Sequence, residues 1–231
     1  MSESKKEPLI SFVLPTKDRV EWVAECISSI LSQKVKDIEL IIVDDGSTDG
    51  TKEFLAEWPK DERVTVIRNE VSLGGGKSRN IGMEAAKAPI IAVCDDDDWY
   101  SEDRATLILE HFKQNEKSEL VNFPYIQVGY ENEEIERFDG KEFDHKAFIE
   151  NGIVSYFANP TVAYKKDSAM EMGGYPSETE NQTDDVQFLQ KWIQAGKKVD
   201  FQPGYYVCGH RVLPNSMMAK LRGFDPNWAT K

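Results

Sequence analysis

Ile90-Ile91-Ala92-Val93-Cys94-Asp95-Asp96-Asp97-Asp98-Trp99 sets an unbroken apolar run directly before four consecutive carboxylates. Such a run, short and bounded by polar residues, reads as a strand buried on both faces. The same grammar occurs twice upstream. Leu9–Leu14 (LISFVL) is closed by Pro15 and leads into Thr16-Lys17-Asp18-Arg19, and Ile38–Val43 (IELIIV) leads into Asp44-Asp45-Gly46-Ser47. Between these runs, Trp22, Cys26, Ile27, Ile30 and Leu31 fall at helical spacing, Thr51–Trp58 reads as a second helix, and Val64–Ile67 as a third strand. Gly74-Gly75-Gly76 opens a short helix through Ala86. Apolar strands separated by helices predict a doubly wound α/β fold with a mostly parallel sheet. Ligands of such sheets bind beyond the carboxyl ends of the strands, so the three polar clusters share one edge.

After residue 110 the alternation loosens. Leu120–Val128 predicts a strand, the acidic Tyr130–Gly140 a solvated turn or hairpin, Phe143–Glu150 a short helix and Thr161–Tyr164 a strand. Asp184–Ala195 predicts a helix with Val186, Leu189, Trp192 and Ile193 on one face, ended by Gly196, and Val207–Arg211 a last strand. With no internal repeat and no separating linker, the expectation is one compact unit: a nucleotide-type half at 1–110 and a variable half at 111–231. His111 and His145 are expected on surface helices.

The 231 residues carry 28 Lys+Arg against 41 Asp+Glu, a net charge of −13, which repels a phosphate backbone and argues against nucleic-acid partners. No apolar run reaches the roughly 20 residues of a membrane span, and the opening MSESKKEP is polar, so the protein is expected in the cytoplasm. Cys26, Cys94 and Cys208, set among apolar neighbours, suit reduced core thiols.

Two carboxylates about 4 Å apart repel by about 4 kcal/mol at an effective dielectric near 20. A cluster such as Asp95–Asp98 at a strand end therefore needs raised pKa values or a hard cation with oxygen ligands, Mg²⁺ or Mn²⁺. The plain alternative is a solvated turn, which the preceding buried strand disfavours. An EF-hand is excluded because its turn glycine and closing glutamate are missing. Neither a P-loop nor a GxGxxG fingerprint is present. A chain this acidic would bind a diphosphate through a metal bridge, helped by Arg19, Lys77 and Arg79.

Taken together, PTKDRVEWVAECISSILSQ (15–33), ELIIVDDGSTDGT (39–51), KSRNIG (77–82) and CDDDDWYSEDR (94–104) resemble the successive motifs of family 2 glycosyltransferases, inverting enzymes with a GT-A fold. The resemblance covers about residues 8–110; beyond it stand Gly173-Gly174-Tyr175, Asp184-Asp185 and His210-Arg211. It implies a metal-dependent transfer from a nucleotide sugar, a UDP-sugar first, to a glycan or lipid-linked acceptor in surface-polysaccharide assembly. Thr16 and Asp45 match the residues that hold the base, with the Asp45 carboxylate accepting a uracil N3–H. Asp97 matches the metal ligand, Asp95 or Asp96 the ribose ligand, and Arg79 a basic group near the diphosphate. Asp185 matches the general base, and His210 a group that completes the metal shell or touches the pyrophosphate.

Two departures stand out: Asp184 occupies a place where Glu is usual, and Asp18-Arg19 replaces Asn-Arg. Plainer roles remain open for several of these residues, a helix cap for Asp45 and Asp185, a core position for His210 and packing for Trp99. A sugar nucleotidyltransferase and a non-catalytic nucleotide- or metal-binding module are the competing functions. The tail 212–231 (VLPNSMMAKLRGFDPNW and beyond) could set Met217, Met218, Leu221 and Phe224 on one side, either as a packed helix or as a lid hinged at His210 and Arg211. Peripheral membrane contact by this tail would be weak, since Lys220 and Arg222 add about 1 kcal/mol each.

Overall fold

The structure, a computed structural model, describes residues 6–140, 158–176 and 184–213. The first half alternates β1 (Ile10–Thr16), α1 (Val23–Leu31), β2 (Ile38–Asp44), α2 (Thr51–Glu57), β3 (Val64–Arg68), α3 (Gly75–Ala85) and β4 (Ile90–Val93). Then follow β5 (Trp99–Tyr100), α4 (Arg104–Gln114), β6 (Leu120–Asn122), β7 (Tyr125–Val128) and β8 (Glu134–Phe138). The last elements are β9 (Ala163–Lys165), α5 (Lys166–Glu171), α6 (Asp184–Gln194), β10 (Val199–Phe201) and β11 (Cys208–Arg211). A seven-stranded sheet runs β10-β6-β9-β4-β1-β2-β3, parallel except at β9, which opposes both β4 and β6. A smaller sheet, β5-β11-β7-β8, stands beside it.

Every residue of β2 and β4 is buried, as expected of strands covered on both faces. Their period-two side chains divide two cores. Ile10, Phe12 and Leu14 of β1, with Leu40 and Ile42 of β2, pack under Val23, Cys26, Ile27 and Ile30 of α1 and Ile108 of α4. Val13, Ile41, Val43, Ile91 and Val93 face the other way, against Met83 of α3 and Phe188, Leu189 and Trp192 of α6.

Several expectations need correction. Pro15 does not close β1, which runs through it to Thr16, opposite Val43 and Asp44 of β2. Val13 O accepts Cys94 N at 3.0 Å, so Pro15, two residues on, faces the side where β4 has already ended and lacks nothing by having no N–H. Leu120–Val128 is two strands in two sheets, parted at Phe123-Pro124. At Thr161 the chain turns in a 3₁₀ segment, Asn159–Thr161, before β9 begins at Ala163. The apolar face of α6 is carried by Phe188, Leu189, Trp192 and Ile193, with Val186 only partly covered. His111 is buried, not on the surface, and its ring nitrogens meet Ser118 Oγ and Gln202 Oε1, each at 3.0 Å. The hairpin expected in the acidic stretch is formed by β7 and β8. The helix expected at Phe143–Glu150, His145 and the tail from Pro214 onward lie outside the described residues; before them, Val212 N still bonds Val128 O at 2.9 Å.

Candidate active site

At the end of β4 the chain folds into a turn in which Asp98 N reaches back to Asp95 O at 3.3 Å. That turn divides four identical side chains. Asp96 and Asp97 sit at its corners; Asp96 accepts Lys17 N at 3.3 Å, and Arg19 Nε stands 3.5 Å from Asp96 and 3.9 Å from Asp97. Asp95 accepts Arg79 Nη2 at 2.9 Å. Asp98 turns inward with no exposed side-chain surface, accepting Arg211 N at 2.8 Å and meeting His210 Nδ1 at 3.1 Å. His210 is thus held by one nitrogen, with its ring edge-on to Tyr125 at 5.7 Å.

The electrostatics show a turn short of positive charge. Burial raises the Asp96 carboxyl to about 6, Arg19 and the Thr16 hydroxyl limiting the rise. Asp97 is pushed well above the carboxylate range by burial and then by Asp98, Asp96 and Asp95. Burial would lower His210, but Asp98 outweighs it and lifts the imidazole to about 9. Among the described residues no three His, Cys, Asp or Glu side chains converge into a ready metal cage.

Arg79 joins three elements. From α3 it bonds Asp95 and, at 2.5 Å, Asp184 at the start of α6, while its guanidinium lies 5.6 Å from the Tyr175 ring. Desolvation opposes its charge, yet Asp95 and Asp184 hold its pKa above the ordinary value. Asp184 is buried, and burial raises its carboxyl against the pull of Arg79. Asp185 follows it, half-buried in the first turn of α6, with Oδ1 accepting Val186 N at 2.8 Å. Close approach of α3 and α6 requires glycine at 76: a Cβ there would stand 2.6 Å from Pro176 O and 2.9 Å from Asp184 Cβ. Asn80 fixes the neighbouring segment, accepting Tyr175 N and donating to Tyr175 O, both at 2.8 Å. The SRN and GGY motifs are therefore in contact.

Asp45 is occupied by the protein itself. Oδ1 accepts Asn69 Nδ2, Leu73 N and Ser78 Oγ at 2.8, 2.8 and 2.9 Å; Oδ2 accepts Ser72 Oγ and Gly74 N at 2.7 and 2.9 Å. Burial would raise this carboxyl, but those donors outweigh it and hold it at about 2. Gly46, with φ +78°, lets the chain turn under Ser72 N, 3.1 Å from where a Cβ would be. Ser72 Oγ also accepts Lys17 Nζ at 3.1 Å, and Asp45 N bonds Thr16 O at 2.8 Å, so Asp45, Thr16 and Lys17 form one wall beside the acidic turn.

The structure thus brings Thr16, Asp45, Arg79, Asp95, Asp96, Asp97, Asp185 and His210 to one edge of the sheet. Trp99 packs over the Gly209 backbone, where a Cβ would stand 2.1 Å from its ring, and Lys77 is exposed. Sequence reasoning missed Asp98 as the partner of His210, since nothing in a run of four aspartates marks the one that turns inward.

The profile of the family described as Glycosyl transferase family 2 matches residues 11–173. An uncharacterised glycosyltransferase of Rickettsia conorii is 35% identical over 121 residues, 52% of this chain and 19% of that one. S. aureus TarS 1–349 in complex with UDP-GlcNAc superposes with a TM-score of 0.74 at 18% identity, covering 91% of this chain and 60% of that chain. The mannosyltransferase PcManGT from Pyrobaculum calidifontis, in complex with GDP-Man and Mn²⁺, superposes with a TM-score of 0.69 at 17% identity, covering 94% and 61%. The chain spans about a fifth of that relative's length and about three fifths of each solved chain. Both structural likenesses are likenesses of fold, and that fold is GT-A. The profile match takes in nearly all of β1, both acidic turns and the SRN helix, and with that span the chain belongs to glycosyl transferase family 2.

Proposed function

We propose that the chain transfers a sugar from a nucleotide diphosphate sugar, a UDP-sugar by preference, to a hydroxyl of a glycan or lipid-linked acceptor, with metal assistance and inversion at the anomeric carbon. The observation that carries this reading is the turn after β4, where burial and then mutual repulsion raise the crowded carboxyls of Asp96 and Asp97 at the carboxyl edge of a parallel sheet. In support, TarS is described with UDP-GlcNAc and PcManGT with GDP-Man and Mn²⁺.

The donor set fits a hard divalent cation: carboxylate oxygens, too few to enclose it, which leaves coordination sites for phosphate oxygens and water. Asp97 would hold Mn²⁺ or Mg²⁺ and His210 would complete the shell or touch the diphosphate. Bound there, the ion would supply charge stabilisation to the departing diphosphate.

The chain's own residues divide the remaining work. Thr16 and Asp45 flank the base; because Ser72 is exposed, its hydroxyl can turn to water and leave the Asp45 carboxylate to accept a uracil N3–H in its place. Asp95 or Asp96 takes the ribose hydroxyls, and Arg79, held between Asp95 and Asp184, faces the diphosphate side. Asp185 takes the acceptor proton as that oxygen bonds to the anomeric carbon; the bond from that carbon to the phosphate oxygen breaks, and the nucleoside diphosphate leaves with the electron pair. A reducing compartment such as the cytoplasm suits Cys26, Cys94 and Cys208, all free and buried.

Calorimetric titration with UDP, with and without Mn²⁺, tests the site on wild type and Asp97→Ala. The wild type should bind far more tightly with the ion, and the variant should lose most of that gain. Equal binding by both proteins would place the site elsewhere.

A further inference from the structure

The acidic turn hangs beyond the point where β4 runs out, and residues without any role so far hold it there. The last bond from this strand to β1 is Cys94 N to Val13 O, at 3.0 Å. The next outward amide, Asp95 N, has no strand to meet and donates to the Tyr100 phenol oxygen at 2.8 Å. The same hydroxyl leans back toward Asp95 O at 3.4 Å, so one side chain engages both main-chain groups of Asp95.

Tyr100 is itself fixed from three directions. Its N–H donates to Ser29 Oγ of α1 at 3.1 Å, β5 pairs with Cys208 of β11, and its ring lies 4.4 Å from the Arg104 guanidinium carbon. Arg104 is fully buried and spends its two terminal nitrogens on main chain and sulfur: Nη2 donates to Val93 O at 2.7 Å and Val162 O at 3.3 Å, and Nη1 meets Cys94 Sγ at 3.6 Å. Among the described residues it forms no ion pair. Burying a guanidinium without a carboxylate is costly, and an aliphatic side chain would fill the space more cheaply. What only the planar fork supplies is a rigid link from the ends of β4 and of the segment before β9 to a flat face against Tyr100.

We propose that Tyr100, clamped by Arg104, is a positioning residue of the donor site. Its phenol stands in for the missing strand at Asp95 and so sets the direction in which the Asp95 carboxylate meets Arg79 and the Asp96 and Asp97 corners face the donor. This rests on the reading of the turn as the donor site. Tyr100→Phe keeps the ring and its contact with Arg104 but strands the Asp95 N–H.

The test compares wild type, Tyr100→Phe, Arg104→Lys and, as a core control one helical turn beyond Arg104 on α4, Ile108→Val. Each is titrated with UDP in the presence of Mn²⁺, and the amide resonances of residues 95–98 are recorded without metal. Tyr100→Phe should weaken UDP binding by about tenfold, in the range for lost supporting contacts behind a metal ligand, and move the amide resonances. Ile108→Val should do neither, although it also loses stability. Arg104→Lys should weaken binding in the same direction, and the double variant should lose no more than the worse single variant, because the two act through one contact. Binding by Tyr100→Phe within about twofold of a wild type that binds UDP would overturn the proposal alone. Fully additive losses would overturn the clamp. A wild type that binds no UDP would overturn the donor-site reading and the proposal with it.

Discussion

Asp45→Asn removes one oxygen from a carboxylate that serves five donors. With the amide oxygen in the Oδ1 place, Asn69, Leu73 and Ser78 keep an acceptor, but a neutral one, and charge-assisted bonds are about twice as strong as neutral ones. The amide nitrogen then confronts Ser72 Oγ, which can turn and accept, and Gly74 N, which cannot. One stranded N–H costs about 1–3 kcal/mol, and with the weakened bonds the total comes to about 2–4 kcal/mol. Urea unfolding measures the loss, which should fall in the midpoint at unchanged slope. UDP binding should weaken as well, since residues 69–74 lose their anchor beside Lys17. A destabilisation below about 0.5 kcal/mol would refute the five-donor arrangement and leave Asp45 as a free receptor for the base.

The metal-free protein should be most stable near pH 4 in thermal unfolding with chelator, where the contribution of Asp45 is complete and that of Asp96 is not yet lost. Asp45, lowered to about 2, contributes fully above its unfolded value of 3.8 and loses that contribution as pH falls from there through 2. Asp96, raised to about 6, favours the fold while protonated and loses that contribution as pH rises through 6; His210, raised to about 9, contributes fully below 6.5 and loses it through 9. Excess Mn²⁺, which favours ionised carboxylates, should move the optimum upward; an optimum unchanged by the ion would contradict the assignment. Asp98→Asn should weaken Mn²⁺-dependent UDP binding by about tenfold by unfastening His210 Nδ1, and unchanged affinity would make that contact structural only. Trp192→Ala, at a side chain with no exposed surface packed on Phe188 and Tyr164, should cost about 3–5 kcal/mol in urea unfolding.

The parallel half was legible because buried strands write themselves as continuous apolar runs, as in Ile38–Val43 and Ile90–Cys94, and because the edge rule then selects the residues that follow. The second half was less so. Leu120–Val128 has one continuous apolar character, yet Pro124 hands the chain from one sheet to the other, and periodicity carries no record of which sheet a strand joins. The reversal at β9 was hidden because a strand of three residues has no period to read. At the site, residue type marked Asp45, Arg79 and the acidic turn, but not their partners. That Arg79 is held between Asp95 and Asp184, that Asp45 is filled by five donors, and that Asp98 turns inward to His210 and the Arg211 N–H all depend on contacts between residues far apart in sequence.

Transfer by Asp185→Asn bears on the central claim most directly. Rates of nucleotide-sugar consumption with Mn²⁺ and an accepted acceptor are compared with wild type, and UDP affinity is measured on the same samples. Loss of the proposed base at nearly constant size should lower kcat by about 10²–10⁴ while UDP affinity stays within about twofold. Transfer within a few-fold of wild type, or a wild type that binds UDP yet turns over no nucleotide sugar, would contradict the account.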